Sequence, residues 1–251
     1  MMDKENDTIT VYWAPSWIGN DTNNDIFYHE PISVYKDLLS KFNPPTATKN
    51  FMSCPAVKGN LENTFFILNP TDADMQVSFD KDGNIDGLRN NNVEHSAIPA
   101  RLQHSPTLTN QLLIEYGMSY CFFSEEPLNV LMTSPYFHNT HYLNYGAIVP
   151  GGFDIGQWYR PFNFEINLWD GNGRLIIKKN EPLVYLKFDT DKKIVFKRYH
   201  ASEKMHKIAS SLVHFKDAPR WRKLITRYQF FNRADMRSVV LQEIKNNLIE
   251  A

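Results

Sequence analysis

Hydrophobic and polar residues alternate in four consecutive segments between Asn163 and Tyr199. The segments are residues 163–169, 174–179, 183–188 and 193–199, and turn sequences rich in Asp, Asn, Gly and Pro separate them. A repeat of two residues is typical of β-strands that bury one face. The pattern therefore predicts four strands joined by three tight turns, as an antiparallel meander whose polar face can carry function.

Shorter segments of the same kind predict further strands nearer the amino terminus. An Asp-rich turn at Asp80–Asn84 is typical of a hairpin rather than of a calcium loop. A short helix is predicted over Glu30–Phe42, because apolar residues recur there at three- and four-residue spacing. The predicted strands and apolar segments are residues 8–17, ending at Pro15, and residues 63–68, 75–79, 111–123 and 129–133.

The hydrophobic period changes from two to between three and four after His200, which predicts two or three amphipathic helices. Ser202 is suited to cap the first helix, and Pro219 is suited to open the second. The whole pattern predicts an α+β protein. We expect residues 1–200 to form a mainly antiparallel β-sandwich or distorted barrel, and residues 201–251 to form a helical appendage packed on that core or on a partner.

The composition excludes a disordered chain, because 42% of the 251 residues are hydrophobic and 14% are aromatic. The formal net charge is −1, so no overall field attracts nucleic acid or anionic lipid. The charge is nevertheless uneven along the chain. Residues 1–100 contain 7 basic and 14 acidic residues, whereas residues 201–251 contain 10 basic and 5 acidic residues. This asymmetry is typical of intramolecular docking, of head-to-tail association, or of a basic tail that meets an anionic partner, and a solvated basic helix face is the simplest interpretation.

Two cysteines, Cys54 and Cys121, are too few for a disulfide scaffold and indicate a reducing compartment. The first residues are polar and acidic, unlike a signal peptide, and no apolar run is long enough to span a membrane. The sequence therefore predicts a soluble protein made in the cytoplasm.

His138 and His141 are the most suggestive pair of metal ligands, because two imidazoles three residues apart can bind one Fe or Zn ion. A third ligand, such as His104 or His200, would have to come from the fold. The alternative is that these histidines are ordinary half-buried aromatic residues. Nucleophile elbows, Walker loops and dinucleotide-binding glycine motifs do not occur in the sequence.

A dense aromatic block around Arg160 is the main candidate binding site. Arg160 could stack on an aromatic ring or bind an anion, and Trp158, Tyr159 and Trp169 offer large contact surfaces. The structural alternative, at about even weight, is that Arg160 ties a loop to a buried carboxylate such as Asp154.

A basic stripe is predicted in the tail, where Arg220, Arg222 and Arg227 fall on successive helical turns together with Lys223, Arg233 and Arg237. Such a stripe could meet nucleic acid or the acidic first hundred residues of a second copy. The second partner is favoured, because the acidic half of the chain would compete with phosphate.

Several blocks of the sequence resemble an uncharacterised family encoded by T4-like tailed phages, notably those of marine cyanobacteria. The blocks are KNFMSCP at Lys49–Pro55, TFFILNPTDAD at Thr64–Asp74, SPYFH at Ser134–His138, GGFDIGQWYRPFNFEINLW at Gly151–Trp169 and IKKNEPLVYLKF at Ile177–Phe188. The resemblance implies a phage origin and a protein of the host cytoplasm or the virion, and it implies no particular activity.

Two functions are consistent with these observations. The first is a non-enzymatic binding or assembly protein, either a virion component or an accessory factor that acts on a host or phage protein through protein contacts or self-association. The alternative is a metal-dependent β-barrel enzyme in which His138 and His141 hold Fe or Zn and Arg160 anchors an anionic substrate.

Overall fold

The computed structural model describes residues 8–15, 28–41, 52, 54–82, 85–91, 100–104, 112–169, 173–213, 226, 229, 231–232 and 235–249. The strands are β1 (Thr8–Pro15), β2 (Ile32–Ser33), β3 (Thr64–Leu68), β4 (Ala73–Phe79), β5 (Ile85–Asn90), β6 (Ala100–His104), β7 (Leu112–Ser124), β8 (Asn129–Thr133), β9 (Gly146–Ile148), β10 (Gly151–Asp154), β11 (Pro161–Leu168), β12 (Arg174–Ile177), β13 (Pro182–Phe188) and β14 (Lys193–Arg198). The helices are α1 (Val34–Lys41), α2 (Pro55–Leu61), a 3₁₀ helix (His141–Asn144), α3 (Glu203–Val213) and α4 (Met236–Asn246).

The strands form three sheets, and the predicted α+β fold with a β-sandwich core is confirmed. Sheet A has the order β14-β1-β7-β11-β9, with β6 also paired to β7; sheet B has the order β10-β8-β13-β3-β2; sheet C has the order β12-β4-β5. Every pairing is antiparallel except that of β1 with β14, which is parallel. The described strands form open sheets. None of the described helices has the length and hydrophobicity needed to cross a lipid bilayer.

The predicted meander is wrong in its pairing, although all four of its strands are present. β11 and β14 lie in sheet A, β12 lies in sheet C and β13 lies in sheet B, so no two consecutive strands pair with each other. Alternation specifies a buried face but not the neighbouring strand. Facing sheets lie about 10 Å apart, and the connections from β11 to β12 and from β13 to β14, of five and four residues, are long enough to cross that gap.

The hairpin at Asp80 is confirmed by the antiparallel pairing of β4 with β5. The Asp82 N–H donates to Asp80 Oδ1 at 2.9 Å, which is the local bond of an Asx turn. The predicted helix over Glu30–Phe42 is confirmed over α1. Ile32 and Ser33 form β2 instead, because they pair with β3 at the edge of sheet B.

Buried side chains form three clusters on successive faces of the sheets. The central cluster lies between sheet A and sheets B and C, and it contains Phe122, Phe162 and Leu186. The opposite face of sheet A packs on the carboxyl-terminal helices through residues that include Phe123 and Ile244. The outer face of sheet B packs on α1 and α2. Helices therefore cover the β-sandwich on both sides.

The tail helices α3 and α4 belong to this packed structure. The Met205 N–H donates to Ser202 Oγ at 3.3 Å, which confirms the predicted cap at Ser202. Beyond α4, Leu248 forms an antiparallel bridge with Tyr199. The predicted helix that opens at Pro219 lies mostly outside the described residues.

Glu125 fixes α4 to the end of β7. The Tyr12 hydroxyl donates to Glu125 Oε1 at 2.6 Å, and Lys245 Nζ lies 3.1 Å from the same oxygen. The Arg237 guanidinium donates to the carbonyl oxygens of Glu125 and Gly156. The hydrogen bond from Tyr12 is the main reason that the pKa of Glu125 is lowered, although burial opposes it and Lys245 adds to it.

We expect Glu125→Gln to lower the free energy of unfolding by about 1 kcal/mol near neutral pH, a small effect because solvent screens a side chain that is 43% exposed. A carboxylate with a lowered folded pKa contributes stability above its unfolded pKa, and loses it as the pH falls through the folded value. The difference from the native chain should therefore shrink towards about pH 3. Urea unfolding near neutral pH and at about pH 3 measures this difference in the free energy of unfolding, with Glu126→Gln as the control. A difference independent of pH would contradict the expectation.

Candidate functional site

The structure separates the aromatic residues that the sequence grouped around Arg160. Tyr159 is only 1% exposed, and its hydroxyl lies 3.1 Å from the hydroxyl of Tyr199 within the core beneath α3 and α4. Trp158 is half-buried and stacks on Phe153, with ring centroids 5.1 Å apart. Tyr159 is therefore a packing residue in this chain, and Trp158 is a partly covered one.

The Arg160 guanidinium donates to Asn163 Oδ1, and the Asn163 amide in turn donates to Glu115 Oε1. These contacts place Arg160 in a polar row on the outer face of sheet A, formed by β11 and β7. Asp154, the partner considered from the sequence, instead accepts the N–H groups of Leu128 and Gly156. Arg160 thus contacts a polar group of its own chain, as the structural alternative predicts, but that group is Asn163 rather than Asp154.

Trp169 is the exposed member of the group. Its side chain lies at the end of β11 and is 61% exposed, the largest value among the exposed large hydrophobic residues of the described chain. The indole N–H donates to the carbonyl oxygen of Leu143 at 3.0 Å, and the backbone N–H donates to the carbonyl oxygen of Tyr145 at 2.8 Å. The 3₁₀ helix supplies the first of these acceptors and so fixes the ring. The polar end of the indole is satisfied, and the rest of the ring faces outward.

His138 and His141 contact different partners. His138 Nδ1 contacts the Tyr185 hydroxyl, and His138 Nε2 lies 2.8 Å from Asp37 Oδ2. His141 Nδ1 lies 2.5 Å from Glu181 Oε1 on the surface. Among the described residues, no three His, Cys, Asp or Glu side chains are grouped as metal ligands. The metal hypothesis stays a prediction, and the side chain of His104 lies outside the description.

A partly buried chain of hydrogen bonds links Tyr185, His138 and Asp37 between β13, the loop after β8 and α1. The His138 ring therefore bridges the Tyr185 hydroxyl at Nδ1 and the Asp37 carboxylate at Nε2. Burial raises the pKa of Tyr185. Burial also opposes the charge on Asp37, but hydrogen bonds from Lys41 and His138 outweigh it and lower the pKa of Asp37. Tyr185 is 0% exposed, and the hydrogen bonds through His138 join α1 to sheet B.

Sequence reasoning missed Asp37 and Tyr185 as partners of His138, because the three residues come from separate elements. No local spacing signals such a contact. The amphipathic pattern of α1 indicated which face is buried, but Asp37 lies at the border of that face.

The basic residues of the tail that the structure describes contact acceptors of the same chain. Lys204 lies 3.0 Å from Glu243, and Lys245 lies 3.1 Å from Glu125. Arg237 donates to the backbone carbonyl oxygens of Gly156 and Glu125, and its predicted place in a basic stripe stays a prediction. Arg220, Arg222 and Arg227 lie outside the described residues, and their predicted role stays a prediction.

Comparisons with known proteins add no assignment: no family model, curated protein or solved structure matches the chain.

Proposed function

We propose that the protein works by binding another protein chain, as a non-enzymatic binding or assembly factor. The observation that supports the proposal is the exposed but fixed indole of Trp169. Trp is enriched among the residues that dominate binding energy at protein interfaces, and those residues lose little entropy when they are already held in place. The hydrogen bond to Leu143 holds this ring before any partner arrives.

The chemistry of the other candidate residues is consistent with this proposal. His138, His141 and Arg160 each contact polar groups of the same chain. Residues held in this way stabilise loops and leave Trp169 as the feature most open to a partner. The resemblance to a phage family suggests the setting: a virion component, or an accessory factor acting on a host or phage protein in the host cytoplasm.

We expect Trp169→Ala to weaken association with the partner by about thirtyfold or more, equivalent to about 2 kcal/mol, because it removes the ring that anchors the contact. Sedimentation velocity over a range of concentrations tests whether the partner is a second copy. Affinity capture from phage-infected cells, followed by titration of the identified partner, tests a different protein.

Tyr136→Ala is the matched control, because Tyr136 is another exposed aromatic residue, at 49% exposure, and it contacts Asn60 and Tyr185 rather than Trp169. Both variants should keep the thermal midpoint of the native chain within a few degrees. A chain that stays monomeric and captures no protein, or a partner whose affinity does not respond to Trp169→Ala, would count against the proposal.

A further inference from the structure

The outer edge of β14 is a surface separate from Trp169. β14 is the last strand of sheet A, with β1 on its inner side. A segment that follows α4 already pairs with its carboxyl-terminal end. The Ile249 N–H donates to the Arg198 carbonyl oxygen at 3.0 Å, and the His200 N–H donates to the Asn247 carbonyl oxygen at 2.9 Å. This edge therefore has the geometry that accepts an antiparallel strand.

The direction of the remaining backbone groups follows from these bonds. The Tyr199 N–H donates inward to Trp13, whereas the Arg198 carbonyl oxygen points outward to Ile249. Backbone groups of successive residues alternate between the two edges of a strand. The N–H and carbonyl groups of Ile194 and Phe196 thus point outward like those of Arg198. Within the described chain, no strand pairs with them.

The side chains on this edge carry positive charge. Lys193 and Lys197 are exposed, and their four-residue separation places them about 13 Å apart on one face of the strand. Neither lysine forms an ion pair with a described residue. Ile194 packs in the central cluster, and Phe196 packs against that cluster, so the other face of the strand is anchored.

Charge decides which kind of strand fits. Two copies of β14 paired antiparallel about Val195 would set Lys193 of one copy against Lys197 of the other, and like charges directly opposite destabilise a strand pair. Lysines of this kind protect an edge from self-association. An added strand with carboxylates at the facing positions would turn both repulsions into cross-strand ion pairs.

From this geometry we infer that the β14 edge, Lys193–Lys197, is a strand-addition site for an extended acidic segment of another protein. The segment runs antiparallel to β14, in the same direction as the Leu248 segment that pairs with Tyr199. Backbone hydrogen bonds to Ile194 and Phe196 give the affinity, and the two lysines select carboxylates four residues apart.

Fluorescence anisotropy with the full chain and three short labelled peptides tests the site. The first peptide alternates Thr and Val and has Glu in place of two Thr residues four positions apart. The second has Lys at those two positions, and the third is the Glu peptide with the backbone nitrogens facing β14 methylated. We expect saturable binding of the Glu peptide alone, because the second repels the lysines and the third cannot donate to the strand.

The double variant Lys193→Glu/Lys197→Glu should bind the Glu peptide about tenfold more weakly and bind the Lys peptide instead. Lys178→Glu/Lys179→Glu is the matched control, because it makes the same charge change at exposed lysines outside β14. Trp169→Ala should bind the Glu peptide as the native chain does, which separates this site from the function proposed above. No saturable binding of the Glu peptide, equal binding of the methylated peptide, or equal loss in both double variants would overturn the inference.

Discussion

Replacing Asn69 with Leu should lower the free energy of unfolding by about 4 kcal/mol. Asn69 is 0% exposed, and its side-chain oxygen accepts a hydrogen bond from the Tyr116 hydroxyl at 2.9 Å. Its amide donates to the carbonyl oxygens of Thr71 and Lys178. Leu is similar in size but makes none of these bonds. Each of the buried groups left without a partner costs about 1–3 kcal/mol.

Urea unfolding followed by circular dichroism measures the loss. Asn129→Leu is the control, because Asn129 is exposed on β8, and the change there should stay within about 0.5 kcal/mol. Tyr116→Phe removes one of the three bonds and should cost less than Asn69→Leu. An Asn69→Leu variant as stable as the control would show that Asn69 does not join the sheets as its contacts indicate.

The position of Asn69 shows where sequence reasoning stops. The residues Asn69-Pro70-Thr71-Asp72 predict a turn that joins the strands predicted at residues 63–68 and 75–79 as neighbours in one sheet. The chain does turn there, but it passes from β3 in sheet B to β4 in sheet C. Turn residues and alternation are local signals, whereas the choice of partner strand depends on residues such as Tyr116, which is 47 positions away. Most of the strands could be predicted, but of their pairings only the hairpin of β4 with β5 could.

The same limit applies to the candidate site. Trp169 could be proposed from its residue type and from its place after an alternating strand. Tyr159, ten residues earlier, has the same aromatic character but lies in the core beneath the tail helices. The difference depends on which part of sheet A the helices α3 and α4 cover. The amphipathic pattern predicts that these helices bury an apolar face, but it does not predict which part of the sheet that face covers.

A chain that ends at His200 should not fold into a stable, soluble monomer. The face of sheet A that α3 and α4 cover is made of large apolar side chains, including Phe123, Tyr159 and Tyr199. Removal of the helices would expose them together, as a patch larger than the few hundred Å² that soluble monomers present. It would also remove the partners of Glu125 on α4. The residues of the tail that fill this core are Met205, Ile208, Ala209, Phe231, Val240 and Ile244.

Expression of residues 1–200, followed by gel filtration and near-ultraviolet circular dichroism, tests this expectation, and we expect aggregated protein or protein without fixed tertiary contacts. Ile244→Ala in the full chain is the milder companion variant. Ile244 is 0% exposed on α4, so the lost contacts and the cavity should cost about 3 kcal/mol while the chain stays folded. Leu248→Ala, at a site that is 36% exposed, should cost much less.

A soluble, monomeric chain of residues 1–200 with a cooperative transition near that of the full chain would contradict the expectation. It would show that the β-sandwich is a domain by itself and that the helices are an addition to it. Aggregation together with a folded but weakened Ile244→Ala variant would show that the helices and the sandwich fold as one unit.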